Sequence, residues 1–365
     1  MTIRWTARRA ARGAGAALVA VLAAGLVLTG CGAGAPPEPL PTPTATVQAP
    51  VRGDRHRPPK PDVPLVWPLT GVRTEKVADR PAVSVKIENS VEARPQRGLA
   101  EADIVWEEVV EGGITRFVAT YHSTLPDVVE PVRSVRPMDA AIVAPLDGVL
   151  AFSGGQGPFI AAVQRYGTQT LSNDDGDPGF ARDPGRPAPH NVLGDVATFA
   201  ARADGGRTSP PPAQFRYARK PGQGTAPRAG SPAPAVDVRL SRAQRTVWTW
   251  DAHSRRYLRS EGGVPSVTAG GRRHSARNVV ILSTEVFNTN FVDPAGAPVP
   301  EHRLAGSGGI GTLVSMGHSI TVRWSKKDHR SPIVLRTRNG KEAQLDPGNT
   351  WIELVPAGTG TWTPR

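Results

Sequence analysis

Cysteine is almost absent: Cys31 stands alone in 365 residues. A lone thiol excludes an internal disulfide framework and a multi-thiolate zinc site, so the folded part must draw its stability from a packed core. Aromatic residues make up 5% of the chain and nowhere interleave with a dense Lys/Arg run, so no nucleic-acid partner is expected. The 8 histidines show no H-E-x-x-H or comparable spacing, and no metal site is read. Cofactor motifs are missing as well. Phe152-Ser153-Gly154-Gly155-Gln156-Gly157-Pro158 is glycine-rich but lacks the lysine of a Walker loop and the G-x-G-x-x-G form, and Ser153 is not in a G-x-S-x-G elbow. No cofactor is expected, and the segment reads as a tight turn whose backbone also has the makings of an anion cradle. Long apolar runs are limited to residues 13–29, about 17 residues rich in Ala and Gly. That falls short of the roughly 20 strongly apolar residues of a permanent membrane span.

What precedes and follows that run gives it a meaning. Arg4, Arg8, Arg9 and Arg12 come before it and Leu28-Thr29-Gly30-Cys31 comes directly after, the tripartite plan of a secretory signal. The last four residues resemble the lipobox of bacterial lipoproteins, in which a peptidase cuts before an acylated cysteine. Residues 1–30 therefore read as a removable signal peptide and Cys31 as the lipidation site. The expected location is the outer face of the cytoplasmic membrane, held there by acyl chains worth about 0.8 kcal/mol per methylene. The alternative is a buried free thiol or an ordinary A-x-A-type cleavage nearby.

The remainder has 39% hydrophobic and 21% charged residues, a globular composition with appendages. The 37 prolines cluster at residues 36–64 and 210–234, stretches without hydrophobic periodicity. Residues 31–62 read as a lipidated, proline-rich tether. Residues 63–207 read as a first α/β domain, 208–235 as a linker or loop, and 236–365 as a mainly β second domain. The net charge of +12 falls to +8 once the four signal arginines are removed. Such a surface draws anionic headgroups or envelope polymers, or it reflects an Arg-rich composition spread over solvated surface.

Residues 81–90 (PAVSVKIENS) alternate apolar and polar positions as a half-buried strand does. Residues 103–110 and 114–121 are strand-like and flank Gly112-Gly113, read as a two-residue hairpin loop. Short helices are expected at 138–144, 158–166 and 195–203, and a strand at 149–152. The second segment carries strand composition at 246–251, 257–260, 278–285, 311–315, 319–324, 333–336 and 350–355, with Met316-Gly317-His318 as a tight hairpin. The expected fold is α+β: mixed β-sheets with helices in a layered sandwich, the C-terminal half mainly β.

Residues 101–121 (EADIVWEEVVEGGITRFVATY), then Pro131-Val132-Arg133-Ser134-Val135-Arg136-Pro137 and Ala188-Pro189-His190-Asn191, resemble the YerB-like lipoprotein family. Trp324-Ser325-Lys326 and Gly348-Asn349-Thr350-Trp351-Ile352 resemble that family's second half. The resemblance implies a layered α/β fold and a lipoprotein; the family's molecular function is unknown, so it implies no reaction.

Chemistry must then be read from the residues. With a two-residue loop, Val109 faces Arg116, and Glu107, Val109 and Glu111 share a side with Arg116, while Glu108 points away with Trp106. Glu107 and Glu111 would lie about 13 Å apart along the strand. That exceeds the roughly 5 to 9.5 Å of a glycosidase carboxylate pair. Arg133, Ser134 and Arg136 suit a phosphate or carboxylate, since guanidinium forks bind such oxygens bidentately; alternatively the arginines pair with the glutamates. His190, followed by Asn191, is the best-placed group for proton chemistry, or else it fastens its loop. Asn173-Asp174-Asp175-Gly176-Asp177 lacks the distal glutamate of a calcium loop and reads as a solvated turn.

Two functions remain. One is a non-catalytic lipoprotein whose patch of Glu107, Glu111, Arg116, Arg133, Arg136 and His190 binds an anionic or polar envelope ligand or a partner protein. The other is an envelope hydrolase using His190 or a glutamate as acid/base. The absence of a nucleophile with its base favours the first.

Overall fold

The protein is described by a computed structural model over residues 63–365. The signal segment, Cys31 and the tether lie outside the described residues. Among the described residues no helix is long and apolar enough to cross a membrane.

The first half contributes the strands β1 (Val83–Glu88), β2 (Ile104–Val109) and β3 (Thr115–Tyr121), helix α1 (Asp139–Val143), β4 (Val149–Phe152), helix α2 (Gly157–Arg165) and β5 (Gln169–Ser172). A small pair, β6 (Phe180–Arg182) and β7 (Val192–Gly194), precedes helix α3 (Val196–Ala201). Asp195 caps α3, its carboxylate accepting from Ala197 N and Thr198 N. Next come β8 (Arg216–Tyr217), helix α4 (Thr225–Ala229) and β9 (Ser231–Pro232). The proline-rich stretch read as a linker or loop is thus built into the fold, and Phe215, Ala218, Ala226 and Ala233 are buried.

The rest is β: β10 (Ala235–Arg239), β11 (Arg245–Asp251), β12 (Arg256–Glu261), β13 (Val264–Pro265), β14 (Ser275–Ala276), β15 (Asn278–Thr284), β16 (Val286–Val292) and β17 (Pro298–His302). They are followed by β18 (Ser307–Ser315), β19 (His318–Lys326), β20 (Val334–Arg336), β21 (Gln344–Leu345), β22 (Thr350–Pro356) and β23 (Thr361–Pro364). Met316 and Gly317, at φ 51 and 78, form the two-residue turn between β18 and β19, the hairpin expected there. Residues 307–310, ahead of the strand expected at 311–315, also belong to β18.

Both halves enter one 11-stranded mixed sheet, ordered β20-β19-β18-β15-β22-β2-β3-β1-β4-β5 with β9 against β19. The halves join where β22 runs parallel to β2. A second, 6-stranded sheet, β13-β12-β11-β10-β23 with β14 on β12, packs on one face of it. Between the two sheets Trp351 meets Trp248 and Phe117 edge-on, with ring centroids 5.3 and 5.4 Å apart. Burying each such ring contributes about 2 to 3 kcal/mol. The opposite face carries α1 and α2, with Ala140, Ile142, Phe159 and Val163 on Leu150 and Phe152. Covering on both sides buries all of β1, the polar positions Ser84, Lys86 and Glu88 included. The period-two pattern that reads as half exposure marks instead a polar seam under helices.

Candidate functional site

The β2–β3 hairpin decides which residues meet. Its loop holds three residues, Glu111, Gly112 and Gly113, because Val110 N donates to Ile114 O at 2.9 Å. Gly112 and Gly113 take φ of 67 and 75, conformations glycine adopts at little cost. The extra loop residue shifts the register by one, so Arg116 pairs with Glu108 and Val109 with Thr115. A one-residue shift moves every side chain to the other face. The expected grouping of Glu107 with Arg116 is therefore corrected: Arg116 lies with Glu108 on the helix-covered face, and Glu107 lies between the sheets.

On the helix-covered face the segment carrying Arg133, Ser134 and Arg136 runs across the C-terminal ends of β1 and β4. Arg133 N donates to Lys86 O at 2.8 Å, and Ser153 N to Arg133 O at 3.0 Å. Arg136 grips Glu111, with Nη2 to Oε2 at 2.8 Å and Nε to Oε1 at 2.7 Å. Arg133 Nε lies 3.2 Å from Glu88 Oε2, and His190 Nδ1 lies 2.9 Å from the same oxygen. Arg116, only 6% exposed, has no carboxylate of its own. Its Nη1 donates to Ser134 O at 3.1 Å and its buried Nε has no partner. Burial, with Arg136 and Arg133 close by, pushes the Arg116 guanidinium down to about 10 against the pull of Glu111 and Glu88. It still carries its charge at neutral pH. Three guanidiniums thus share two carboxylates, leaving one positive charge uncompensated.

A buried triad props this segment from below. Lys86 bonds Glu108 and reaches Asp139 Oδ1 at 2.8 Å, and Asp139 Oδ2 accepts from Arg136 N at 2.7 Å. Burial and the neighbouring Asp139 push Glu108 up to about 8, with Lys86 pulling the other way. Glu108 Oε2 has no partner.

The loop after β4 closes the site's other side. Gly154 and Gly155 have φ of 86 and 154, and a Cβ on Gly155 would stand 2.3 Å from Val135 Cγ1. A Cβ on Gly154 would stand 2.7 Å from Ser134 Oγ. Only glycine lets the loop approach the arginine segment this closely. The loop then opens α2, whose first-turn N–H groups favour negative charge. Ser153 Oγ donates to the exposed Asp174 at 3.4 Å, and a Cβ on Gly154 would stand 3.8 Å from Asp174 Oδ2, so a carboxylate also stands beside the turn, near Ser134.

The remaining predicted residues fall elsewhere. Asn191 is buried in the loop, its Oδ1 accepting from Arg182 Nη1 at 2.9 Å and its Nδ2 donating to Asp183 O at 3.4 Å, and it does not line the arginine site. Glu107 belongs to a sealed cluster. Its Oε2 lies 2.6 Å from Arg259 Nη2, and Arg259 also bonds Glu261. Thr115 Oγ1 and Gln244 Nε2 donate to Glu107 Oε1 at 2.7 and 3.1 Å. The Arg259 guanidinium sits 5.2 Å from both the Phe117 and Trp351 rings. Glu353, paired with Glu107 across β2 and β22, accepts from Trp248 Nε1 at 2.8 Å. Burial and the neighbouring Glu107 push the Glu353 carboxyl well above the usual range, with Arg259 and the Trp248 hydrogen bond pulling the other way. This cluster is an internal tie between sheets.

The site therefore joins Glu111, Arg116, Arg133, Ser134, Arg136 and His190, and adds Glu88, Lys86, Asp139 and the Gly154-Gly155 turn. Lys86 and Glu88 carried a signal in the alternation of β1; Asp139 carried none beyond its place at a helix start. Among the described residues no group of three or more metal-ligating side chains is gathered. Arg116 donates and does not exchange protons near neutrality, and among the described residues Ser134 has no histidine bonded to it.

Comparison with known proteins fits this architecture. Residues 69–209 match the N-terminal domain, and residues 236–352 the C-terminal domain, of a family described as protein of unknown function (DUF3048). The protein "Putative lipoprotein YerB" of Bacillus subtilis (strain 168) is 30% identical over 304 residues, covering 80% of this chain and 86% of that one. The chain belongs to this family. The crystal structure of YerB protein from Bacillus subtilis superposes with a TM-score of 0.69 at 26% identity, over 82% of this chain and 99% of that chain. The family resemblance read from the motifs is thereby shown. The boundary at residue 209 and the restart at 236 bracket the proline-rich insert that carries α4.

Proposed function

We propose that this chain is a lipid-anchored protein of the outer face of the cytoplasmic membrane that binds an anionic ligand, of phosphate or carboxylate type, at the arginine site. The single observation that carries the reading is Arg116, a buried guanidinium without a carboxylate, set between Arg133 and Arg136. A buried charge left unpaired costs several kcal/mol, and an arriving anion recovers part of that cost. The partly exposed Arg133 and Ser134 and the Gly154-Gly155 turn packed against that segment supply further donors nearby. The anchor is supported by the signal-like N-terminus, Cys31 and the lipoprotein name of the relative.

The test is calorimetric titration of the full chain, purified in non-ionic detergent, with inorganic phosphate and with glycerol phosphate. Arg116→Met is expected to weaken binding at least about tenfold, the loss of one charge-assisted hydrogen-bonding group. Equal affinity in the variant would remove the basis of the reading.

A second reading rests on His190. Its Nδ1 is fixed by Glu88 at 2.9 Å and its Nε2 is free, the arrangement of an oriented acid/base, with Arg133 beside it to stabilise charge. Turnover of an ester or glycan substrate that vanishes in His190→Gln would favour an envelope hydrolase.

A further inference from the structure

A large cavity lies in the second half, far from the arginine site in sequence and sharing no residue with it. It is an open groove of about 1350 Å³ where β18 and β19 meet β23, α4 and the turn before β21. Small-molecule pockets run to about 1,000 Å³, so this groove has the size for an extended ligand.

Its lining has three parts. The floor is apolar in patches, with Ile310, which is exposed, Ile320, and the half-buried Trp362. The Trp362 indole is held by Nε1 donating to Thr312 Oγ1 at 2.8 Å. Hydroxyl and amide groups, among them Thr321 and Gln344, stand between these patches. The rim carries Arg228, Arg338 and Lys341, all exposed and none in an ion pair among the described residues. The one carboxylate of the lining, Glu342, lies 3.7 Å from Arg216 outside the groove.

That combination selects a chemistry. An acyl chain needs a continuous apolar wall, which the intervening hydroxyls break. A single strand of nucleic acid needs successive aromatic platforms, and this groove has one aromatic ring. A sugar ring offers an apolar C–H face and a ring of hydroxyls, and matches one fixed indole beside hydroxyl and amide partners. The unpaired cations then call for sugars that carry acid groups. We propose that this groove binds an anionic glycan strand.

The experiment titrates the full chain in non-ionic detergent, at 150 mM salt so that loose surface attraction is screened to about 8 Å. The probes are tetragalacturonate, a neutral maltotetraose and an oligodeoxynucleotide of equal charge. Tetragalacturonate is expected to bind, maltotetraose at least about tenfold more weakly. Arg228→Glu with Lys341→Glu is expected to lose about tenfold or more of the tetragalacturonate affinity, and Trp362→Ala several-fold. Arg165→Glu with Arg202→Glu, the same charge change on a distant surface, is expected to leave it within about twofold. Circular dichroism of each variant establishes that it folds. No binding by the folded parent, equal losses in the two double variants, or tighter binding of the oligonucleotide would each overturn the proposal. Binding of inorganic phosphate is expected to be unchanged in Arg228→Glu with Lys341→Glu, so the groove and the arginine site fail or stand separately.

Discussion

Adjacent residues of one strand, Glu107 and Glu108, open onto two differently built regions. Glu107 faces the space between the sheets, where Arg259, 1% exposed, is ringed by Glu107, Glu261 and Glu353 and packed between aromatic rings. Glu108 faces the helices, where the carboxylates are taken by Lys86, Arg133 and Arg136 and Arg116 goes without. The first region has more carboxylates than cations, and Glu353 is pushed well above the usual carboxyl range; in the second, four cations face Glu88, Glu108, Glu111 and Asp139, and Glu108, raised to about 8, leaves one cation to spare at neutral pH. Both are buried ionic clusters in the same sheet. The sign of the leftover charge and access to solvent separate an internal tie from a place for a ligand.

The largest effect is expected from Arg259→Met. Removing that cation strands its carboxylates between the sheets and should destabilise the fold by about 3 to 5 kcal/mol, read from urea unfolding. Lys86→Met should cost nearly as much, since Glu108 and Asp139 share that ammonium. A loss within about 0.5 kcal/mol for either would break the description of these groups as structural.

Acid should weaken the fold next. His302 and His274 are buried and held down to about 3 by desolvation, His274 also by Arg259. The unfolded chain protonates these imidazoles near pH 6.5. The stability they contribute is complete above that pH and is lost as pH falls toward 3. Glu108 works in the opposite sense: raised to about 8, it contributes stability that is full below about pH 4.5 and lost as pH rises through 8. Stability should therefore peak between these limits, and His302→Gln should flatten the acid limb. An acid limb unchanged in that variant would contradict the neutral burial of His302.

A smaller loss of stability, about 1 to 3 kcal/mol, is expected from Gly155→Ala, which must push against Val135 at a positive φ. It sharpens the comparison because the same change should displace the loop and weaken phosphate binding. Intact binding would show that the turn does not shape the site.

The strands were legible because Val, Ile and Thr alternate or cluster in runs such as 83–88 and 278–284. The layered mixed fold followed from them. The hairpin register was not legible, since Gly112-Gly113 serves a two- or a three-residue loop, and the choice rests on Glu111 bonding Arg136 outside the hairpin. That choice moved Glu107 out of the site while Arg133, Arg136 and His190 stayed together. The burial of Lys86 and Glu88 was hidden because alternation reports the pleat, whereas the cover on the polar side comes from α1 and α2, distant in sequence. In the insert at 210–234 proline removes periodicity without preventing short pieces from packing, so its buried residues were not legible.

The decisive measurement is the urea stability of Arg116→Met at neutral pH beside that of Arg259→Met. The account predicts that Arg116→Met loses no more than about 1 kcal/mol and can gain stability, because one hydrogen bond to Ser134 is lost while an unpaired buried charge is removed. A loss as large as that of Arg259→Met would mean that Arg116 is as structural as Arg259, and the contrast between the two faces would fall.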